Sequence, residues 1–323
     1  MTPRRQSASG FTLIEIMIAM ALLAMLSVGM LTTVNAIGRA QRGAAAIDAA
    51  QSGARAGLEM ITRDVEMASA GAKSGTINFA TGGTASLLAV RVTDGNNAPD
   101  QLDIITIDPT AQGTLLTPYA AGATNLSVSS SAGFAVGDQV QVSDLITAVV
   151  VVVTGTANNG GNPGLQINAN TNALPQTFPA GSYVFRTRAV SYYIDTTTFG
   201  AQDPLLMLDP DGPGAQAGQP LAEGVEDLQV ALGVDGSGDG LISSVGSAAG
   251  DDEWVGNVAG EVAPVNLTQL RSVRVTLVAR TIMPTAGLRG QRPAAENHAG
   301  GLTADSFSRR VLRSELTVRN FNL

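Results

Sequence analysis

Phe11-Thr12-Leu13-Ile14-Glu15-Ile16-Met17-Ile18 opens an apolar run that continues to Val34, 24 residues in which Glu15 is the one charge. As a helix the run would be roughly 36 Å long, enough to cross a hydrocarbon core of about 30 Å. Arg4 and Arg5 precede it and the next base is Arg39, a bias that predicts a cytoplasmic N-terminus and the bulk of the chain on the other side. A secretory signal would need a shorter apolar run, a small-x-small cleavage site and then a break in pattern. Here the helical pattern continues instead.

Ile37, Ala40, Ala44, Ile47, Ala50, Ala54, Leu58, Ile61, Val65 and Ala68 recur at spacings of three or four, one apolar stripe on a helix. Between them fall Arg39, Arg42, Asp48, Arg55, Glu59, Arg63, Asp64 and Glu66, read as the solvent face. One helix is therefore expected from about Thr12 to Ala70, on the order of 85 Å long. The glycines of Gly71-Ala72-Lys73-Ser74-Gly75 stop it. Such a rod needs two environments: lipid or other helices around residues 11–35, and a sheet against the amphipathic residues 36–70.

The junction Gly10-Phe11-Thr12-Leu13-Ile14-Glu15, behind a short basic leader of residues 1–10, resembles the processing site of type IV prepilins and of the pseudopilins of type II secretion. The resemblance covers about the first 40 residues. It implies that a prepilin peptidase in the inner membrane cuts after Gly10 and methylates Phe11, and that Glu15 serves filament assembly. Glu15 also has a role in its own chain, as an acid at the positive end of its helix dipole. The resemblance adds pairing with the methylated amine of Phe11 on an adjacent subunit. Thr32 stands where major pilins often carry proline, so local melting of this helix would rely on Gly29, Thr32, Thr33 and Gly38.

From residue 71 to 323 the pattern changes to short β-rich runs between Gly, Pro, Asn and Asp. Val149–Val153 is apolar on both faces and predicts a fully buried strand. Asn158–Pro163, Asp211–Gln219 and Ala286–Gly301 read as loops, and residues 113–179 as a β-rich module inserted into the sheet. The expected fold class is α+β, a long N-terminal helix on an antiparallel sheet. Arg188-Ala-Val190-Ser-Tyr192-Tyr193-Ile194, Gly224-Val225-Glu-Asp-Leu228-Gln229-Val230, Val273-Arg-Val-Thr-Leu277-Val-Ala-Arg280 and Leu316-Thr-Val318-Arg319-Asn320 resemble PilW-type minor pilins in order and spacing. That likeness implies a type IV pilin fold and a minor subunit that primes a type IV pilus and caps its tip. Its partners would be other minor pilins and the major pilin. A J-type minor pseudopilin of type II secretion and a pilus-borne adhesin are the alternatives.

Charge is uneven. The chain has 27 acids and 19 bases. Asp94–Glu261 holds 19 acids and two bases, whereas residues 262–323 hold nine arginines and three acids. An acidic body disfavours nucleic acid as a partner. The basic end should pair with that body or with a neighbouring subunit, and Arg309, Arg310 and Arg313 could form a partner-binding edge. With no cysteine, disulfides and thiolate chemistry are excluded.

One motif suggests a cofactor. Asp235-Gly-Ser237-Gly-Asp239-Gly240-Leu241 places oxygen ligands at alternate positions, the first half of a calcium loop. The twelfth position is Gly246, so Asp251, Asp252 or Glu253 would have to supply the closing carboxylate; the competing reading is a solvated turn. Catalysis is not expected. His298 is the only histidine and reads as a solvent-facing loop residue, no G-x-S-x-G elbow is present, and Gly71-Ala-Lys73-Ser74 lacks the earlier glycine of a phosphate loop.

Overall fold

The structure, a computed structural model, describes residues 12–68, 76–79, 86–88, 90–159, 161–167, 177–198, 203–210, 217–236, 242, 253–256, 269–285 and 288–318. It divides into two units, Met1–Asp48 and Ala49–Leu323. One helix, α1, runs unbroken over Leu13–Met67.

In the first unit every described residue from Thr12 to Ile37 is exposed, and the helix is long and apolar enough to cross a membrane. The Thr32 and Thr33 hydroxyls both donate to the Gly29 carbonyl, at 2.8 and 2.9 Å. Such side-chain bonds to the preceding turn keep the backbone helical while offering it an alternative partner.

In the second unit α1 buries Ala50, Ala54, Gly57, Ile61, Asp64 and Val65; the stripe read from the spacing is buried only from Ala50 on, Ile37, Ala40 and Ala44 being exposed. Gly57 lets the helix approach closely: a Cβ there would stand 2.6 Å from Leu206 Cδ2. Asp64 departs from expectation, since a residue assigned to the solvent face is buried.

Two sheets follow. The first contains β1 (Thr76–Phe79), β2 (Ser86–Leu88), β3 (Val90–Thr93), β4 (Gln101–Thr114), β5 (Asn125–Ser127) and β6 (Gln139–Ser143). It continues with β7 (Ala148–Asn159), β8 (Asn162–Ile167), β9 (Tyr183–Asp195), β10 (Leu205–Asp209) and β11 (Gln219–Glu223). All its pairings are antiparallel except β1 with β7. The second sheet has the order β13-β12-β14-β15, from β12 (Val225–Val234), β13 (Glu253–Val255), β14 (Leu270–Arg280) and β15 (Arg309–Thr317). The stretch read as a loop at Asn158–Pro163 is instead a hairpin, with Asn159 opposite Asn162. Gly161 takes φ 91°, as a tight two-residue connection requires.

β9 is the organising strand. Tyr183–Tyr192 pairs with β4, while its other edge pairs with β6 over Tyr183–Arg186 and with β10 over Ser191–Asp195. Two apolar cores result. The main core joins Ala54, Ile61 and Val65 of α1 to Ile104, Val190, Tyr192 and Leu206 of the first sheet and to Leu228, Val230, Val275 and Leu277 of the second. The other core lies within residues 111–184, around Leu126, Val140, Val151, Leu165 and Phe178. β7 faces both: Ala148 and Val150 belong to the main core, Val149, Val151 and Val153 to the other. That division accounts for a strand apolar on both faces.

Candidate functional site

Thr12 stands just before the first helical residue, and Glu15 is three positions on. The Thr12 N–H and hydroxyl each donate to Glu15 Oε2 at 3.0 Å, and the Glu15 N–H donates back to Thr12 Oγ1 at 3.4 Å. This is a capping box, visible in the sequence as Thr-x-x-Glu yet not anticipated from it. The otherwise orphaned Thr12 N–H is satisfied, the Glu15 N–H gains a second acceptor beside the Thr12 carbonyl at 3.1 Å, and an exposed carboxylate is fixed at the start of the apolar helix. Both bonds from Thr12 fall on Oε2. Gly10 and Phe11 lie outside the described residues.

At the other end of α1, Asp64 explains its own burial. Its carboxylate accepts a 2.6 Å hydrogen bond from the Tyr192 hydroxyl of β9. Burial, reinforced by the bond to Asp64, pushes the Tyr192 hydroxyl well above the usual phenol range. It therefore stays a donor at any physiological pH. An isolated buried carboxylate would be costly; this one ties the helix to the middle of the sheet.

The basic C-terminal stretch pairs within the chain. Arg274 makes a two-pronged contact with Glu296 at 3.1 and 2.6 Å, Thr276 Oγ1 adds 3.0 Å and Arg313 reaches the same carboxylate at 3.0 Å. Arg292 lies 2.7 Å from the fully buried Asp227. Arg309 grips Glu226 at 2.6 Å and Asp305 at 2.5 Å. These pairs fasten the segment after β14 over the outer face of the second sheet. Two of the three arginines read as a partner edge, Arg309 and Arg313, are thus engaged internally, while Arg310 is exposed. His298 is not solvent-facing as expected: its Nδ1 is 2.8 Å from Asp227 Oδ2 and its side chain is 12% exposed. No local pattern signals a partner 71 positions earlier.

Asp235, the first candidate calcium ligand, is buried, and its Oδ2 accepts a 2.8 Å hydrogen bond from Arg271 Nε. A guanidinium on that oxygen competes with a metal ion for it. Ser237, Asp239, Leu241, Asp251 and Asp252 lie outside the described residues, and Glu253 is described only as the start of β13. Among the described residues no group of three or more His, Cys, Asp or Glu could hold a metal.

Comparison with known proteins adds two sequence matches. Residues 191–320 match the family model described as type IV pilus-assembly protein W, and residues 5–31 match that of the prokaryotic N-terminal methylation motif. Curated proteins give no match. Among solved structures, a type IV-like pilin from Thermus thermophilus aligns at 10% identity and a TM-score of 0.39, covering 84% of this chain and 97% of that one.

Proposed function

Because the chain is a type IV pilin-like precursor with a PilW segment, we propose that it is a minor subunit of a type IV pilus that primes filament assembly and sits at the tip. The carrying observation is the pairing of two matched segments in one chain: the methylation motif over residues 5–31 and the PilW segment over 191–320. The first leads into an apolar helix with a capped acid near its start. The second runs from within β9 through β15. Prepilin peptidase would release the chain from residues 1–10, the helix would anchor it in the inner membrane, and Glu15 would meet the methylated amine of a neighbour. The role is structural, with no catalytic step. A large globular part beside the helix suits a filament end better than a repeating lattice.

N-terminal mass spectrometry and immunogold labelling of sheared filaments test this reading. A mature chain beginning at methylated Phe11, gold at filament ends, and a sharp drop in filament number on gene deletion are the expected results. Even labelling along the shaft would remove the tip assignment. A mature chain that keeps residues 1–10 would remove the pilin one.

A further inference from the structure

Residues 292–299 form a strap over the second sheet with a tight turn near its tip. Ala295 and His298 exchange two backbone hydrogen bonds, at 3.1 and 2.9 Å. Glu296 between them is held at φ 46°, a left-handed conformation that is costly for a side chain other than glycine. Such a turn persists only where its surroundings hold it. On one flank Glu296 is gripped by Arg274 of β14 and Arg313 of β15. On the other, the strap reaches the connection between β3 and β4: Asn297 Nδ2 donates to Asp94 Oδ1 at 2.8 Å, and the Ala299 N–H to Asn97 Oδ1 at 3.3 Å. That connection is itself bonded to β12. Gln229 Nε2 donates to the Ala98 carbonyl at 3.0 Å, the Asp100 N–H to the Leu228 carbonyl at 2.8 Å and the Val230 N–H to Asp100 Oδ2 at 2.8 Å. The strap thus closes a seam between the first sheet and the second.

Charge at this seam is unbalanced. Asp94, Asp100 and Asp227 bring three carboxylates, of which Asp100 and Asp227 are buried, and Asp94 and Asp227 both repel Asp100. Glu296 adds no excess, since Arg274 and Arg313 hold it. One permanent cation faces the three: Arg292, 2.7 Å from Asp227 Oδ2 and also bonded to the Ala299 carbonyl of its own strap. Three acids against one base leave two negative charges, and an imidazolium at His298 would reduce them to one. His298 Nδ1 lies 2.8 Å from that same Asp227 oxygen, yet makes no aligned hydrogen bond to it. A neutral ring would present either a repelled lone pair or an N–H that misses its acceptor. A charged ring is attracted from any direction.

We propose that residues 292–299 are a pH-gated latch: the charge on His298 holds the strap against Asp227 and the β3–β4 connection, and losing that charge as pH rises through neutrality releases it. Imidazole is the side chain whose charge changes across that range. Arg292 keeps its charge throughout and cannot supply the gate. Asp100 acts in the same sense, since burial raises it to about 6 and above that pH it joins Asp227 as a second buried charge. Closing the strap takes up protons, so closure is favoured as pH falls. Release would loosen the seam and separate Glu296 from Arg274 and Arg313, while the ladder of β12 with β14 stays paired.

Hydrogen exchange of the full chain in detergent micelles, read by mass spectrometry and corrected for the intrinsic pH dependence of exchange, tests the latch. Protection of the peptide carrying the His298, Ala299 and Gly301 amides should fall at least about tenfold between about pH 5.5 and pH 8, while the β14 amides of Val273–Ala279 stay protected. Trp254 gives a second signal. It is the only tryptophan, and the Arg274 guanidinium stands 4.1 Å over its ring, so its fluorescence should step over the same range. His298→Gln should abolish both pH steps and leave the strap exchanging fast even in acid. Asp100→Asn should keep them. Protection that is flat or rises with pH in the wild type would overturn the latch whether or not the variants fold. So would steps that survive His298→Gln, or steps lost in Asp100→Asn alone.

Discussion

The hydroxyl of Tyr192 and the carboxylate of Asp64 meet at 2.6 Å across 128 positions of sequence, and through them the helix is fastened to the centre of the first sheet. Tyr192→Phe leaves a buried carboxylate without this donor. The expected loss is about 1–3 kcal/mol, read by chemical denaturation of the detergent-solubilised chain. Asp64→Asn keeps an acceptor and should cost less. Equal losses would mean that packing, and not the bond, sets the effect.

Asp100 predicts a pH dependence. Burial raises its pKa to about 6, against opposing hydrogen bonds from the Gly95 and Val230 N–H groups. The folded state then holds its proton more tightly than the unfolded chain does, so this group favours folding as pH falls from above 6 toward 4. Asp108, lowered to about 2 chiefly by the Thr110 hydroxyl, opposes that trend only at lower pH. The melting temperature should rise between pH 7.5 and 5, and Asp100→Asn should flatten the rise.

Two glycines on α1 should respond in opposite directions. A Cβ at Gly53 would sit 3.6 Å from Ala222 Cβ, an ordinary contact, whereas one at Gly57 would stand 2.6 Å from Leu206 Cδ2. Gly53→Ala should gain up to about 1 kcal/mol from helix propensity. Gly57→Val should lose about 1–3 kcal/mol through overpacking against a fully buried leucine. Thermal melts of the two variants suffice.

The capping box makes Thr12 separable from Glu15. Glu15→Gln removes the charge proposed for assembly, and the mutant should be processed and folded but depleted from sheared filaments. Thr12→Val removes both bonds of the hydroxyl and leaves the carboxylate, still held by the residue 12 N–H. Incorporation should then fall less than for Glu15→Gln, as quantified by immunoblot. Normal incorporation of Glu15→Gln would confine that residue to capping its own helix.

The first part of α1 was legible as an unbroken apolar run and its last part because burial from Ala50 repeats every three or four residues, although the stripe positions Ile37, Ala40 and Ala44 are exposed. β7 was legible because an apolar run without alternation fits a strand covered on both faces. Asp64 was not. A charge on a helix reads as solvent-facing unless its partner is known, and that partner lies on β9. The same blindness hid the contact of His298 with Asp227. The hairpin of β7 and β8 was lost because its Asn- and Gly-rich end imitates a loop in composition while still pairing in register. At the candidate site, Gly10, Phe11 and Glu15 stood out through a dense local motif, whereas the capping role of Thr12 needed geometry.

β7 has a consequence for how this chain could have been built or cut. Its two faces line different cores, so residues 113–179 are not an ornament that could be excised at its ends and the gap rejoined. Removing them would strip Ala148 and Val150 from the main core. A shortened relative would have to supply a replacement strand, or larger side chains from β4 and β9, before it could fold. A graft of the segment onto another scaffold would carry an uncovered apolar face unless the host offered a helix or sheet to cover it.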